Sequence, residues 1–457
     1  MKKLIAIIVI LVAGFFGSSF YIEGLNSKAH EEFKKIASDP KMWQELLIKQ
    51  AENNRALREQ MAGLLYYSSE LFLEFEDYQK GFLSSNAKFS LMSKSQFHDK
   101  PTKLLEGNIT YYNLPLSKRF KAVLKKEGIE KENQKLANAI KDENLLVFEG
   151  FKTFFDWEVR MTSADILLEE KREGSYSTRE QHIEVKPTSL TLLLDGKNPM
   201  LLKSANADIP YINITENKKW ENGENSNNKF LIEKLQITQN NAEPTPIFDN
   251  NFIEGDAKMF LKKLEFNNND EYYQTNSYFK FQDIKSSAKT LIKDNKMSID
   301  TKSSAELLNF KDTEKEVDIE LKAPNLVFNI KDLDVEALNK VLNYQDFGAL
   351  ETMLNQTINA NLEFSTKINK KDLDIKASMQ AQKENLKVNA TILSEGKFSE
   401  LAVLPSYIKS DLESLDSMAK VDGKEYKLEV ILDYNPKNDL FPDVKINGKS
   451  LSEYQGY

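Results

Sequence analysis

Residues 357–393, TINANLEFSTKINKKDLDIKASMQAQKENLKVNATIL, carry the clearest structural signal in the chain. Apolar and polar residues alternate over three of its stretches, which are Ile358–Phe364, Leu373–Ala377 and Leu386–Ile392. Successive side chains of a strand point to opposite faces, so strict alternation is typical of a strand with one dry and one wet face. The polar links between the stretches have hairpin length. The segment therefore predicts a three-stranded antiparallel meander.

Other stretches also indicate a β-rich chain. Val317–Ala323 alternates without a break, and less regular candidates precede it at Trp157–Leu168, Ile183–Leu194, Phe230–Thr238 and Ser277–Phe281. Asparagine-rich segments separate these candidates and are typical of turns or loops, as at Asn217–Lys229 and Asn267–Asp270. We therefore expect large antiparallel sheets, either curved or stacked in two layers.

Two later segments carry apolar residues at helical spacing. They are Asp334–Leu354 and Leu404–Ala419, and each can lay one apolar stripe on the dry face of a sheet. The chain ends with Tyr426–Ile431 and Val444–Leu451, where Asn447-Gly448 predicts a closing hairpin.

The N-terminus is an apolar run behind Lys2 and Lys3. Residues 4–22 are uncharged, and a helix of about 20 apolar residues spans a membrane. The lysine pair predicts a cytoplasmic N-terminus, a single pass through a bacterial inner membrane, and a periplasmic bulk. The predicted anchor residues are Leu4, Ile8, Leu11, Phe15 and Ile22. A cleaved signal peptide ending near Gly17-Ser18-Ser19 is the alternative, and it also exports the remaining chain.

A helical pattern follows this run, from Glu23 to about Leu73. The predicted fold class is therefore α+β, mainly β, with an N-terminal transmembrane helix, a helical stalk, and antiparallel sheets covered by a few helices. The predicted divisions are an anchor or signal segment over 1–22, a membrane-proximal helical region over 23–80, and β-rich parts over 81–330 and 331–457.

Composition excludes several classes of function. The 457 residues carry a net charge of -8, which argues against a nucleic-acid partner because such proteins need a basic surface. There is no cysteine, so disulfides, thiolate catalysis and cysteine zinc sites are all excluded.

No residue pattern predicts catalysis, a metal ion or a cofactor. The histidines His30, His98 and His182 have no metal-ligand spacing, and we interpret them as surface or edge residues. Ser-x-x-Lys recurs along the chain, as expected by chance where both residues are abundant. The pairs Asp332/Asp334 and Asp372/Asp374 lack the glycine turn and later glutamate of a calcium loop.

One modification signal is present at Asn108. Asn108-Ile109-Thr110 is a glycosylation sequon, and Glu106 lies two residues before it, as in the acidic sequons that some bacteria modify on exported proteins. Asn108 is therefore a candidate glycosylation site.

A short motif suggests a family. Tyr78-x-x-Gly81-x-x-Ser84-Ser85 resembles the signature near the start of the YdgA-like family of bacterial proteins of unknown function. Phe328–Leu338 and Lys445–Gly448 are similar to later elements of that family. The resemblance implies an inner-membrane-associated periplasmic protein and no catalytic residue. Gly81 fits a turn or bulge into a strand, and Ser84-Ser85 can bond to the local backbone.

These observations leave three roles open. The first is a non-enzymatic scaffold or interaction module of the cell envelope, whose partner is another envelope protein. The second is binding of a lipid or another apolar ligand in a groove on the dry face of a sheet. The third is hydrolysis of an envelope polymer by two carboxyl groups whose pKa values are pushed apart. The sequence does not define the oligomeric state.

Overall fold

The structure, a computed structural model, describes residues 2–39, 70–94, 100–114, 118–127, 134–153, 155–246, 252–344, 348–349, 357–382, 385–435 and 442–454. Side chains are described from Ser18 onwards. Strands make up most of these ranges, and the strand pairings described below are all antiparallel.

The strands are long in the middle of the chain and shorter towards its ends. The first eleven are β1 Glu70–Phe75, β2 Ser84–Lys94, β3 Thr102–Tyr112, β4 Lys118–Lys125, β5 Asn144–Lys152, β6 Asp156–Ser163, β7 Ile166–Glu173, β8 Ser177–Val185, β9 Ser189–Asp195, β10 Leu201–Trp220 and β11 Asn225–Pro246. The others are β12 Gly255–Asp270, β13 Thr275–Lys293, β14 Lys296–Ser304, β15 Leu307–Asp312, β16 Val317–Asp334, β17 Ile358–Ile368, β18 Lys371–Gln382, β19 Asn385–Glu395, β20 Lys420–Asp422, β21 Glu425–Tyr434, β22 Asp443–Ile446 and β23 Lys449–Ser450.

Helices lie at the start of the chain, between some of the strands and after the last strand. They are α1 Lys2–Ala37, α2 Gln134–Ala139, α3 Val335–Tyr344, α4 Ser406–Met418 and α5 Leu451–Tyr454, and a short 3-10 turn covers Phe398–Glu400.

The chain forms two compact units. The first consists of residues 1–168, 185–207 and 244–250, and the second of residues 169–184, 208–243 and 251–457. In the first unit, β2 pairs with β1 and β3, and pairing continues through β4, β5 and β6 to β9. Helix α1 packs on this sheet, where it contacts β1 and β3.

In the second unit, β11, β12 and β13 pair in sequence order. Strands β14 and β15 then both lie between β13 and β16, one after the other along the length of β13. Pairing continues from β16 through β17, β18, β19 and β21 to β22 and β23. Each link joins neighbours in sequence or nearly so, because short turns connect antiparallel strands.

The sequence predicted several of these elements correctly. The meander over 357–393 is β17–β18–β19, with Leu362 opposite Ala377 and Ala377 opposite Ala390. Helix α4 lies inside the predicted 404–419 segment. Asn447 and Gly448, at φ 52° and 86°, form the tight turn between β22 and β23. The predicted antiparallel sheet is confirmed.

The predicted fold class, with a transmembrane helix and a helical stalk, is wrong. The part of α1 whose side chains are described buries Ser19, Ile22 and His30. The Asn26 amide donates hydrogen bonds to the Tyr112 carbonyl oxygen of β3 and to the side-chain oxygen of Asn113, so this part of the helix packs on the sheet. Glu70–Phe75, placed within the predicted helical region, is strand β1 and pairs with β2. The predicted helical residues 40–69 lie outside the described ranges.

The predicted single-pass location in the inner membrane is also wrong. Among the residues that the structure describes, no helix combines the length and the apolar character that a membrane crossing requires. Buried polar residues such as Ser19 and His30 instead face the protein from α1.

Both segments predicted as loops are largely strand, since β10 extends to Trp220 and β11 begins at Asn225. Asn267–Asp270 continues β12 and pairs with β11 and β13, so that Asn267 lies opposite Lys229 and Tyr278. Backbone hydrogen bonds to β11 and β13 on its two sides stabilise the segment as a strand, despite the low strand propensity of asparagine.

Candidate apolar binding surface

The sheet of the second unit has one apolar and one polar face. On β17, Leu362 lies opposite Phe328 and Ala377. The preceding residue, Asn361, lies opposite Asn329, and the two amides form a hydrogen bond of 3.0 Å. The alternation that the sequence shows is therefore kept in register from strand to strand, because a slip by one residue would turn apolar side chains into solvent.

Two hydrophobic clusters cover opposite ends of the apolar face. The first packs α3 on one end of β14, β16, β17 and β18, through Met297, Leu333, Ala337, Ala349, Ile358 and Ala381. The second packs α4 and the 3-10 turn on the other end, through Leu373, Phe398, Leu401, Leu428 and Ile446. Each helix presents its apolar stripe to the sheet, as the sequence predicted.

A row of apolar residues lies between these clusters and belongs to neither of them. We call it the apolar furrow, and it consists of Phe328, Leu362, Ala377, Ala390 and Val430. These five residues lie side by side on β16, β17, β18, β19 and β21, and all of them are only half-buried.

Two neighbouring residues of this row, Ala377 on β18 and Ala390 on β19, have small side chains. Ala377 and Ala390 are flanked along their strands by larger residues of the two clusters, including Ile375 and Met379 on β18 and Ile392 on β19. Residues two apart on a strand are about 7 Å apart and point to the same face. The furrow is therefore one residue wide, and it is lowest at Ala377 and Ala390, where larger aliphatic side chains flank it along the strands.

A second row of apolar residues lies on the strands at the start of the unit. Phe230, Phe266, Phe279 and Phe310 form one row across β11, β12, β13 and β15, and the rings of Phe266 and Phe279 stack at 5.2 Å. Phe310 is 38% exposed. An extended apolar surface of this kind, partly open to solvent, is typical of a binding site.

The predicted anchor residues lie on α1. The side chains of Leu4, Ile8, Leu11 and Phe15 lie outside the described part of the chain. Ile22 is buried at 8% exposure in the half of the helix that packs on the first unit's sheet.

The residues of the family-like motif lie together beneath α1. Gly81 forms a tight link into β2, where a Cβ atom would come within 2.1 Å of the Ser84 carbonyl oxygen. Ser84 begins β2, and the buried Ser85 hydroxyl accepts hydrogen bonds from the Gly81 amide and from the side chain of Asn113. This is the local bonding expected of glycine and serine at such a link.

Tyr78 of the motif contacts a buried histidine. The His30 ring stacks on Tyr78 at 4.9 Å, and its Nδ1 lies 3.0 Å from the Tyr111 hydroxyl. The side chain is fully buried, so the interpretation of His30 as a surface residue is wrong. His182 is half-buried beside Glu169 and Glu184, and His98 lies outside the described residues.

Burial governs the titration of this cluster. It lowers the pKa of His30, with Glu31 opposing and Lys34 adding to the effect. It also raises the pKa of Tyr111 well above its usual range. Both rings are therefore uncharged at neutral pH, since removal from water disfavours the charged form. The motif thus has a structural part in the docking of α1, and no reactive group emerges from it.

The sequon asparagine lies inside a sheet. Asn108 is on β3, opposite Lys88 of β2 and Val123 of β4, and the hydroxyl of Thr110 donates a hydrogen bond of 2.8 Å to Asn86. Glycosylation of Asn108 stays a prediction.

The shifted carboxyl groups among the described residues do not include a general acid. In the described ranges, the carboxyl groups with a shifted pKa are those of Asp195, Glu265 and Glu429, and all three shift downwards. Hydrogen bonds from backbone amides lower the pKa of Asp195, and a hydrogen bond from Lys427 lowers the pKa of Glu429. For Glu265, burial raises the pKa, but Lys229 and Lys263 lower it by more. A carboxyl group that acts as a general acid needs a raised pKa. Among the described residues, no group of histidine and carboxylate side chains could hold a metal ion.

No family model, curated protein or solved structure matches the chain. The resemblance to the YdgA-like family therefore stays a prediction, and the function must be argued from the surface itself.

Sequence reasoning predicted the faces of the strands but missed the furrow. Alternation identified Ala377 and Ala390 as residues of the dry face. Their juxtaposition depends on the β17–β18–β19 register, and their exposure depends on where α3 and α4 end. A pair of alanines at corresponding positions of adjacent predicted strands is the signal that could have indicated a depression.

Proposed function

We propose that the protein binds a lipid, and that the apolar furrow holds its hydrocarbon chain. The supporting observation is the position of Phe328, Leu362, Ala377, Ala390 and Val430, which form a half-buried row between two clusters and belong to neither. Covering a partly exposed apolar row with an apolar ligand lowers the free energy, because it removes apolar surface from water.

The chemistry and width of the furrow favour a hydrocarbon chain over a protein. Its five side chains contain only carbon and hydrogen, whereas protein interfaces are anchored by tryptophan, tyrosine and arginine. An α-helix with its side chains is about 10–12 Å wide. The neighbouring rows on each strand lie only about 7 Å from the furrow on either side, which suits a slender chain.

Burial of methylene groups supplies the affinity. Each buried CH₂ contributes about 0.8 kcal/mol. A chain that lies across five strands about 4.8 Å apart can bury many such groups, which is enough to exceed the entropic cost of association.

Site-specific photo-crosslinking tests the position of the ligand. A photoreactive amino acid at position 362 would lie in the furrow, whereas the same amino acid at position 361 would lie on the polar face of the same strand. We expect mass spectrometry to detect a lipid adduct only on the protein labelled at position 362. Equal labelling at both positions, or labelling at neither, would contradict the proposal.

Filling of the furrow tests the affinity. Ala377→Leu places a larger side chain on the floor, and Ser378→Leu is the matched control on the opposite face. For the delipidated protein, we expect saturable binding of a fluorescent fatty acid that Ala377→Leu weakens and Ser378→Leu leaves unchanged, with thermal unfolding as the check on folding. A wild-type protein that stays ligand-free would instead favour the scaffold role.

A further inference from the structure

The polar face of the second unit carries a groove of about 510 Å³ on β11, β12, β13, β14 and β16. Its lining includes three exposed lysines, which are Lys258 on β12, Lys285 on β13 and Lys302 on β14. No carboxylate lines it, although the chain as a whole has a net charge of -8. The groove is on the other side of the strands from the apolar face, so it is independent of the proposed lipid site.

Strand register brings the three lysines around one serine. Ser287 lies directly opposite Lys258 on one side and Lys302 on the other. Lys285 is two residues from Ser287 on the same strand and the same face. Neighbouring strands are about 4.8 Å apart, and diagonal neighbours roughly 7–8 Å apart. Lysine side chains are long and flexible enough for their three ammonium groups to converge above Ser287.

These lysines differ from others on the same sheet. Within the described residues, Lys258, Lys285 and Lys302 form no ion pair. Nearby, Lys229 and Lys263 both bond to Glu265, at 2.8 and 2.6 Å. Like charges at this spacing repel each other, so a multivalent anion between them would relieve the repulsion.

Hydroxyl groups and a ring complete the groove. Ser287 and Ser304 add hydrogen-bond donors, and Phe260 lies opposite Lys285. The ammonium group of Lys234 is 5.4 Å from the centre of the Phe260 ring. Phosphate oxygens accept hydrogen bonds from lysine and serine, while the ring can contact an apolar part of the ligand. The volume is within the range of sites for small molecules.

We infer that this groove binds the phosphate group of a small phosphorylated organic molecule. Lys258, Lys285 and Lys302 pair with the phosphate oxygens, Ser287 donates a hydrogen bond to them, and Phe260 contacts the organic part.

Phenyl phosphate is the probe, and saturation-transfer NMR on the full-length protein at low ionic strength is the measurement. We expect saturable binding that Lys285→Gln weakens about tenfold, as for the loss of one charge-assisted contact. Lys289→Gln is the matched control, because Lys289 lies on the same strand and face but directly between Asp256 and Asp300. It should leave the affinity nearly unchanged.

Three results with the probe, its control variant and benzoate would overturn the inference. They are the absence of saturable binding, equal weakening by Lys285→Gln and Lys289→Gln, and benzoate binding as tight as that of phenyl phosphate. The last result would mean that the groove attracts any anion. Lys258→Gln and Lys302→Gln should each weaken binding as Lys285→Gln does, and unchanged affinity in both would also contradict the proposed geometry.

Discussion

Helices α1 and α4 both pack on antiparallel sheets, but they do so with different chemistry. Helix α1 contacts the first unit's sheet through His30 and Asn26, which bond to Tyr111 and Asn113. Helix α4 contacts the second unit's sheet through leucines, within a cluster of aliphatic and aromatic side chains. The polar contact fixes one helix position through specific hydrogen bonds, whereas the aliphatic contact is non-directional and leaves the adjacent furrow open.

The largest expected effect is on the aliphatic contact. Leu428 of β21 is 1% exposed in the cluster beneath α4. We expect Leu428→Ala to lower the free energy of unfolding by about 3 kcal/mol, because it leaves a cavity as well as removing buried methyl groups. Urea denaturation measures this change.

Ile431→Ala is the matched control, since Ile431 is on the same strand and is 45% exposed. Ile431→Ala should lower the free energy of unfolding by less than about 1 kcal/mol, as expected for an exposed position. Equal losses for the two variants would mean that the cluster beneath α4 does not stabilise the second unit.

The second largest effect on stability is expected for the polar contact of α1. The buried amide of Asn113 donates to the Gly81 carbonyl oxygen at 2.6 Å and to Ser85 at 3.1 Å, and it accepts from Asn26 at 2.9 Å. Asn113→Ala should lower the free energy of unfolding by roughly 1–3 kcal/mol, because buried polar partners are left unpaired.

Limited proteolysis of α1 together with thermal unfolding would measure this effect. Asn86→Ala removes an exposed side-chain amide whose hydrogen bond, within the described residues, is to Thr110 in the same sheet, and it should have little effect. If α1 in Asn113→Ala resists the protease as well as in the wild type, the hydrogen bonds of Asn113 do not hold the helix on the sheet.

The same contrast explains what the sequence could predict. Periodicity identifies the strands around Leu362 and the stripe of α4, because aliphatic packing requires only a repeated pattern. The burial of His30 beside Tyr78 and Tyr111 depends on residues more than 40 positions apart and on hydrogen bonds, which leave no periodic signal. The uncharged run at the N-terminus has the composition of a membrane anchor, and composition alone does not reveal that residues of α1 pack on a sheet.

The contact of α1 should depend on pH, whereas the aliphatic contact of α4 should not. Burial lowers the pKa of His30 from 6.5, so the folded protein keeps it neutral while the unfolded chain takes up a proton near pH 6.5. The contribution of neutral His30 is therefore complete above pH 6.5 and is lost as the pH falls towards the lowered pKa of the folded state. The α1 contact should weaken over this range.

Thermal unfolding at pH 7.5 and pH 5.5 checks this expectation. His30→Phe keeps a ring against Tyr78 but cannot titrate, so its midpoint should change less between the two pH values than that of the wild type. His182→Gln should keep the wild-type pH dependence. Equal pH dependence in the wild type and His30→Phe would exclude His30 as the cause.

The smallest expected effect concerns the surface of α3, the other helix on the second unit's apolar face. Glu336 and Lys340 form an exposed ion pair of 2.7 Å one helical turn apart. Such pairs contribute about 0.3–0.5 kcal/mol, because water screens the charges and the long side chains lose freedom. Glu336→Gln should therefore lower the free energy of unfolding by no more than this, and high salt should remove the difference. A loss as large as that of Leu428→Ala would mean that charge, rather than the apolar stripe, holds the helices of the second unit on their sheet.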